Sequence, residues 1–124
     1  MTKDRKQKIL LVDDDKDMCE SLADVLSLEP GYEISYTTNP LEALNIVGST
    51  RFSLIIIDYK MPEMNGLELL KRIKKQSRDN RVFILTAFIS NELIEEAKKE
   101  GAEKVMSKFI WPDEILKCIK DTIG

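Results

Sequence analysis

Residues 8–13 read KILLVD and two more aspartates follow, so Asp13, Asp14 and Asp15 stand together at the end of one apolar run. Asp58 closes a second run, SLIIID at 53–58; Thr86 closes a third, VFILT at 82–86; Lys108 follows a weaker one, KVMS at 104–107. Carboxylates held side by side repel, and they stay ionised at neutral pH only if a cation or protons compensate the charge. A small cluster of hard oxygen donors beside a polar loop suits Mg²⁺ or Mn²⁺, and Mg²⁺ takes one or two direct carboxylates and keeps several waters. A hydroxyl and an ammonium facing that cluster would bind an anion held there. A carboxylate nucleophile, a divalent cation and a cationic clamp are the parts of a phosphoryl-transfer site. Competing readings exist for single residues. Asp14 or Asp15 is suited to cap the helix that follows. Asp13, Asp15 and Asp17 have the spacing that opens a calcium loop, but Met18 and Asp24 occupy its glycine and glutamate places, which excludes it. The chain has no histidine, so Ser-His-Asp triads, Cys-His pairs and HExxH zinc sites are excluded.

The elements that must carry these residues alternate along the chain. The three apolar runs are unbroken, as in strands covered on both faces, whereas YEISY at 32–36 alternates apolar with polar and suits a sheet edge. Between the runs lie amphipathic stretches. Met18, Leu22, Val25 and Leu26 share one helical face, closed by Pro30-Gly31; Asn39-Pro40 opens a second helix that runs to Gly48. Leu67, Leu70 and Ile73 mark a third. Ser90 caps a fourth that stops at Gly101, and Pro112 opens a fifth. The pattern predicts a doubly wound α/β fold, (βα)₅, with a parallel sheet between two helical layers and its ligand site at the carboxyl ends of the strands.

At 124 residues the chain is the size of one domain, expected over 1–124 with a charged leader at 1–7. The balance of 19 basic and 22 acidic residues, net −3, provides no basic stripe, so direct nucleic-acid binding is not expected. The strongest apolar runs are too short to span a bilayer, and the leader has no apolar signal core, which places the protein in the cytoplasm. Cys19 and Cys118 form no metal pattern and read as reduced, small hydrophobes.

The segment LIIIDYKMPEMNGLELL, Leu54 to Leu70, resembles the phosphorylation-site loop of the receiver domains of bacterial two-component response regulators. ILLVDDD at 9–15, ILTA at 84–87 and GAEKVMSK at 101–108 extend the likeness to most of the chain. The resemblance implies a flavodoxin-like sheet in order 2-1-3-4-5. It implies that Asp58 accepts a phosphoryl group from the phosphohistidine of a histidine kinase or phosphotransfer protein, with Asp13, Asp14, Asp58 and the carbonyl of Lys60 holding Mg²⁺. Thr86 and Lys108 would each bond a phosphoryl oxygen. Such a chain catalyses only its own phosphorylation and dephosphorylation. Two positions depart from the family. Phe109 replaces the proline whose cis bond aims the lysine, so the Lys108–Phe109 bond is either cis or turns trans with the lysine aimed differently. Val105 replaces a switching aromatic, which points to the loop after Thr86 and the fourth helix as the moving parts. The ammonium of Lys60 has two readings, a group near the phosphoryl oxygens or a solvated loop lysine.

Phe88, two residues past Thr86, is expected to shield the acyl phosphate. With Ile89, Phe109, Ile110 and Trp111 it forms the expected surface for an output partner or a phosphorylation-dependent dimer. Two other functions match parts of the sequence. An aspartate-nucleophile phosphatase would match DDDKD at 13–17, but Asp17 stands where Thr or Val belongs; a flavin-binding module would need a Ser/Thr/Gly phosphate loop in place of three aspartates.

Overall fold

The computed structural model describes residues 6–124. The leader expected at 1–7 lies outside the described residues up to residue 5, and Gln7 already opens the first strand. The elements are β1 Gln7–Val12, α1 Lys16–Leu26, β2 Tyr32–Thr37, α2 Pro40–Ser49, β3 Leu54–Asp58, α3 Gly66–Gln76, β4 Val82–Thr86, α4 Asn91–Lys99, β5 Lys104–Ser107 and α5 Pro112–Ile123. The strands pair in parallel in the order β2-β1-β3-β4-β5, so the flavodoxin-like fold and strand order expected from the sequence are the ones observed. β2, whose residues alternate in burial, is an edge strand as predicted.

Side chains alternate across each strand and divide the core in two. Leu10, Val12, Ile55, Ile57, Val82 and Ile84 pack with Ala43, Leu69, Leu70, Ile73 and Ala97 under α2, α3 and α4. Ile9, Leu11, Leu54, Ile56, Phe83 and Leu85 pack with Leu26, Ile115 and Ile119 under α1 and α5. Burying each such side chain contributes roughly 1.5–3 kcal/mol, enough to fix the register against a slip that would exchange the two faces.

Local chemistry sets where the helices begin. Asp15 caps α1, accepting the backbone N–H groups of Asp17 and Met18 at 3.0 and 3.3 Å, so its capping reading is the one observed. Asn39, Asn65 and Ser90 cap α2, α3 and α4 in the same way. α5 opens on Pro112 behind Trp111, which makes no side-chain cap. α1 ends at Leu26, earlier than Pro30-Gly31: after the last helical bond, from the N–H of Ser27 to the carbonyl of Ala23, the N–H groups of Leu28 and Glu29 fold back onto the carbonyls of Val25 and Leu26 as turns. α4 ends on Gly101 at φ +102°, a left-handed conformation that glycine adopts without a Cβ penalty.

Candidate functional site

Leu11 pairs with Ile56 in the register of β1 and β3. Two residues on, the same row carries Asp13 beside Asp58, both on the side of the sheet that faces α1 and α5. Met106 belongs to that layer, and its row leads to Lys108. Apolar strands thus deliver two carboxylates and one ammonium to one place without any of them crossing the core.

The geometry is tight. Asp13, Asp14 and Asp58 each offer a carboxylate oxygen, and the three lie within 4.8 Å of one another. Asp13 and Asp58 are buried whereas Asp14 is exposed. Lys108 Nζ lies 3.1 Å from Asp58 Oδ2 and 3.3 Å from Asp13 Oδ2. Burial pushes the Asp13 carboxyl up to about 6; the backbone N–H of Asp15, which it accepts at 2.9 Å, opposes the rise, and the charge of Asp58 adds to it. Burial draws the Lys108 ammonium downward, but its hydrogen bond to Asp58 and the charge of Asp13 outweigh this and leave it raised. One lysine therefore faces three carboxylates. The uncompensated negative charge and hard oxygen donors fit a divalent cation.

The geometry bears on positions that the sequence left open. Every peptide bond among the described residues is trans, and Lys108 reaches Asp58 all the same, its backbone N–H donating to the carbonyl of Thr86 at 2.8 Å. Thr86 is buried at the end of β4, where its hydroxyl donates to the carbonyl of Phe88 at 3.3 Å and accepts the N–H of Phe88 at 3.2 Å. The hydroxyl closes a turn on its own loop rather than bonding the carboxylates. Lys60 is exposed, and its ammonium makes no ion pair among the described residues. Val105 packs against the layer under α2, α3 and α4.

Of the expected apolar face, Phe88, Ile89, Phe109 and Trp111 are exposed, Phe88 by 86%. The Phe88 ring therefore stands in solvent. Ile110 departs from the group: it packs against the layer under α1 and α5, because its row turns inward ahead of Pro112.

Two residues of the sequence reading have supporting contacts that it did not show. A Cβ on Gly66 would lie 2.7 Å from the carbonyl oxygen of Asp58 and 2.9 Å from Tyr59 Cα, and its N–H donates to the Tyr59 carbonyl at 2.6 Å. The loop that follows Asp58 returns so closely that only glycine fits. Cys19, read as a small hydrophobe, is buried but also donates its thiol to the carbonyl of Asp13 at 3.3 Å, tying α1 to the site; burial and the Asp13 charge push that thiol up to about 12. Spacing alone flagged neither contact, since each depends on how a loop of a few residues folds back onto a backbone carbonyl.

A doubly wound sheet thus carries acidic groups, a hydroxyl and a lysine at its carboxyl edge. The model of the response regulator receiver domain matches residues 9–120, and the chain belongs to that family. It is 39% identical over 114 residues to sporulation initiation phosphotransferase F of Bacillus subtilis, covering 92% of this chain and 91% of that one. It is 40% identical over 116 residues to the transcriptional regulatory protein ZraR of Klebsiella oxytoca, covering 94% of this chain but only 26% of the relative. A CheY-like response regulator receiver domain protein from Methanospirillum hungatei JF-1 superposes with a TM-score of 0.89 at 30% identity, over 95% of this chain and 94% of that one. Receiver domains are signalling modules that take a phosphoryl group from histidine kinases and relay a change to output domains, rather than conventional enzymes. The acidic pocket is of the kind at which they bind Mg²⁺.

Proposed function

We propose that this chain is a phosphorylation-dependent switch in which Asp58 is the acceptor. The observation that carries the reading is the buried Asp58 carboxylate, 3.1 Å from Lys108 Nζ and clustered with Asp13 and Asp14. An Asp58 oxygen attacks the phosphorus of a partner's phosphohistidine; the P–N bond breaks, the imidazole leaves with the electron pair, and an acyl phosphate remains. Asp13, Asp14, Asp58 and the carbonyl of Lys60 are the groups we assign to Mg²⁺ or Mn²⁺. When bound, that cation neutralises charge on the carboxylates and on the phosphoryl oxygens. Lys108 stays within reach of the new anion and bonds one of its oxygens. Thr86 gives up its turn with Phe88 to bond another, which shifts the β4–α4 loop and carries Phe88 and Ile89 with it. That displacement replaces the aromatic swing which Val105 cannot make.

Phe88, Ile89, Phe109 and Trp111 then form the surface that a second copy or an output partner reads, and exposed apolar clusters of this kind mark contacts. Cytoplasmic residence accords with a phosphohistidine donor, and among the described residues no helix is long and apolar enough to cross a membrane. The test is transfer from a purified, ³²P-labelled histidine phosphotransfer protein. Label should move to the wild type and not to Asp58→Asn, and Asp13→Asn/Asp14→Asn should slow transfer by at least tenfold. Undiminished transfer to Asp58→Asn would refute the assignment.

A further inference from the structure

A second charged feature lies at the opposite edge of the sheet, where α3 and α4 end. A depression of about 420 Å³ is lined there by Lys71, Arg72, Lys74, Lys75, Arg78 and Lys99, with Glu100 and Gly101 completing its wall. Two of the six cations are engaged: Arg72 Nε lies 3.1 Å from Glu68 Oε2, and Lys74 donates to the carbonyls of Arg78 and Asn80. Lys71, Lys75, Arg78 and Lys99 are exposed and, among the described residues, in no salt bridge.

Helix dipoles explain part of this cluster. Lys75 and Lys99 sit in the last turns of α3 and α4, where a cation is favoured. The dipole does not explain Lys71, one turn before Lys75 and therefore repelled by it, nor Arg78, which lies beyond the helix end. Glu68, Glu100 and, beside Lys74, Glu103 and Asp79 offset part of this charge, but the six cations outnumber them, and in a chain of net charge −3 that local excess creates a field that draws anions. Shape then selects the class of anion. The cations surround a compact hollow rather than a stripe, and no aromatic lines it, which disfavours a nucleic-acid strand. Its volume is within the roughly 300–1,000 Å³ of small-molecule sites. Ammonium point charges around a planar guanidinium match phosphate oxygens.

We propose that this depression binds a small molecule carrying several phosphates, either an inorganic oligophosphate or a nucleoside polyphosphate. None of the residues that line it belongs to the cluster of Asp13, Asp14 and Asp58, so the site is separate from that cluster and binding there does not require phosphorylation of Asp58. The test is calorimetric titration of the full chain with tripolyphosphate and, separately, with ATP, in about 0.15 M salt with EDTA and no phosphodonor. The expected result is saturable one-to-one binding, weakened about tenfold or more by Lys71→Glu/Lys75→Glu and by Lys99→Glu. Lys117→Glu on α5, an equal charge change elsewhere, should alter it less than about twofold. Tighter ATP identifies a nucleotide site and tighter tripolyphosphate an inorganic one; either supports the proposal. The absence of saturable heat, an equal loss in Lys117→Glu, or tighter binding of a decaglutamate peptide would overturn it. A urea midpoint for each variant separates lost binding from lost folding, and Lys99→Glu, on a different helix, serves if the α3 variant fails to fold.

Discussion

Asp13 is held in the folded chain at a cost, because burial disfavours its charged form. Its carboxyl is raised to about 6 from 3.8, so between those values the folded state keeps a proton that the unfolded state has released. Stability tied to this group is therefore present at low pH and is lost as pH rises through 6. Asp13→Asn, neutral at every pH, should stabilise the metal-free protein at pH 8 by roughly 1–2 kcal/mol and have little effect near pH 4, measured by urea unfolding in EDTA. A destabilised variant at pH 8 would mean that the ion pair with Lys108 outweighs burial. The residue types were legible because each strand ends on, or one residue before, a polar group. Their pairing was not: that Lys108 spans Asp13 and Asp58, and that Thr86 bonds its own loop, depends on side-chain directions that spacing does not encode.

The loop between β3 and α3 shows how an element enforces the placement of its neighbour. Gly66 returns against the carbonyl of Asp58 with no room for a methyl group, and the obstructing atoms are backbone. Gly66→Ala should cost about 1–3 kcal/mol of stability and slow phosphorylation of Asp58 as well; a variant of wild-type stability and rate would show that the loop relaxes freely. α5 presents the opposite case. Trp111 has the extended backbone of an N-cap, φ −62° and ψ 141°, without a side-chain acceptor. Trp111→Asp should add about 0.5–1 kcal/mol by capping the helix while weakening any phosphorylation-dependent self-association, read by sedimentation velocity or size-exclusion chromatography. Unchanged association would remove Trp111 from the contact surface. Helix starts were legible because Asn39, Ser90, Pro40 and Pro112 act locally. The end of α1 was not, because turns that form after Leu26 stop the helix before Pro30 is reached.

At the scale of the molecule, the fold separates two tasks. Unbroken runs such as LIII in β3 bury both faces of the sheet, which made the parallel architecture readable, and everything chemical is left to the strand ends. The match over residues 9–120 and the 0.89 superposition express the same division. Intact mass spectrometry after incubation with acetyl phosphate, with and without Mg²⁺, for wild type and Asp58→Asn, examines the acceptor assignment with no partner protein present. One phosphoryl mass should appear on the wild type only when Mg²⁺ is present and never on Asp58→Asn; an adduct that forms without the metal, or on the variant, would contradict it.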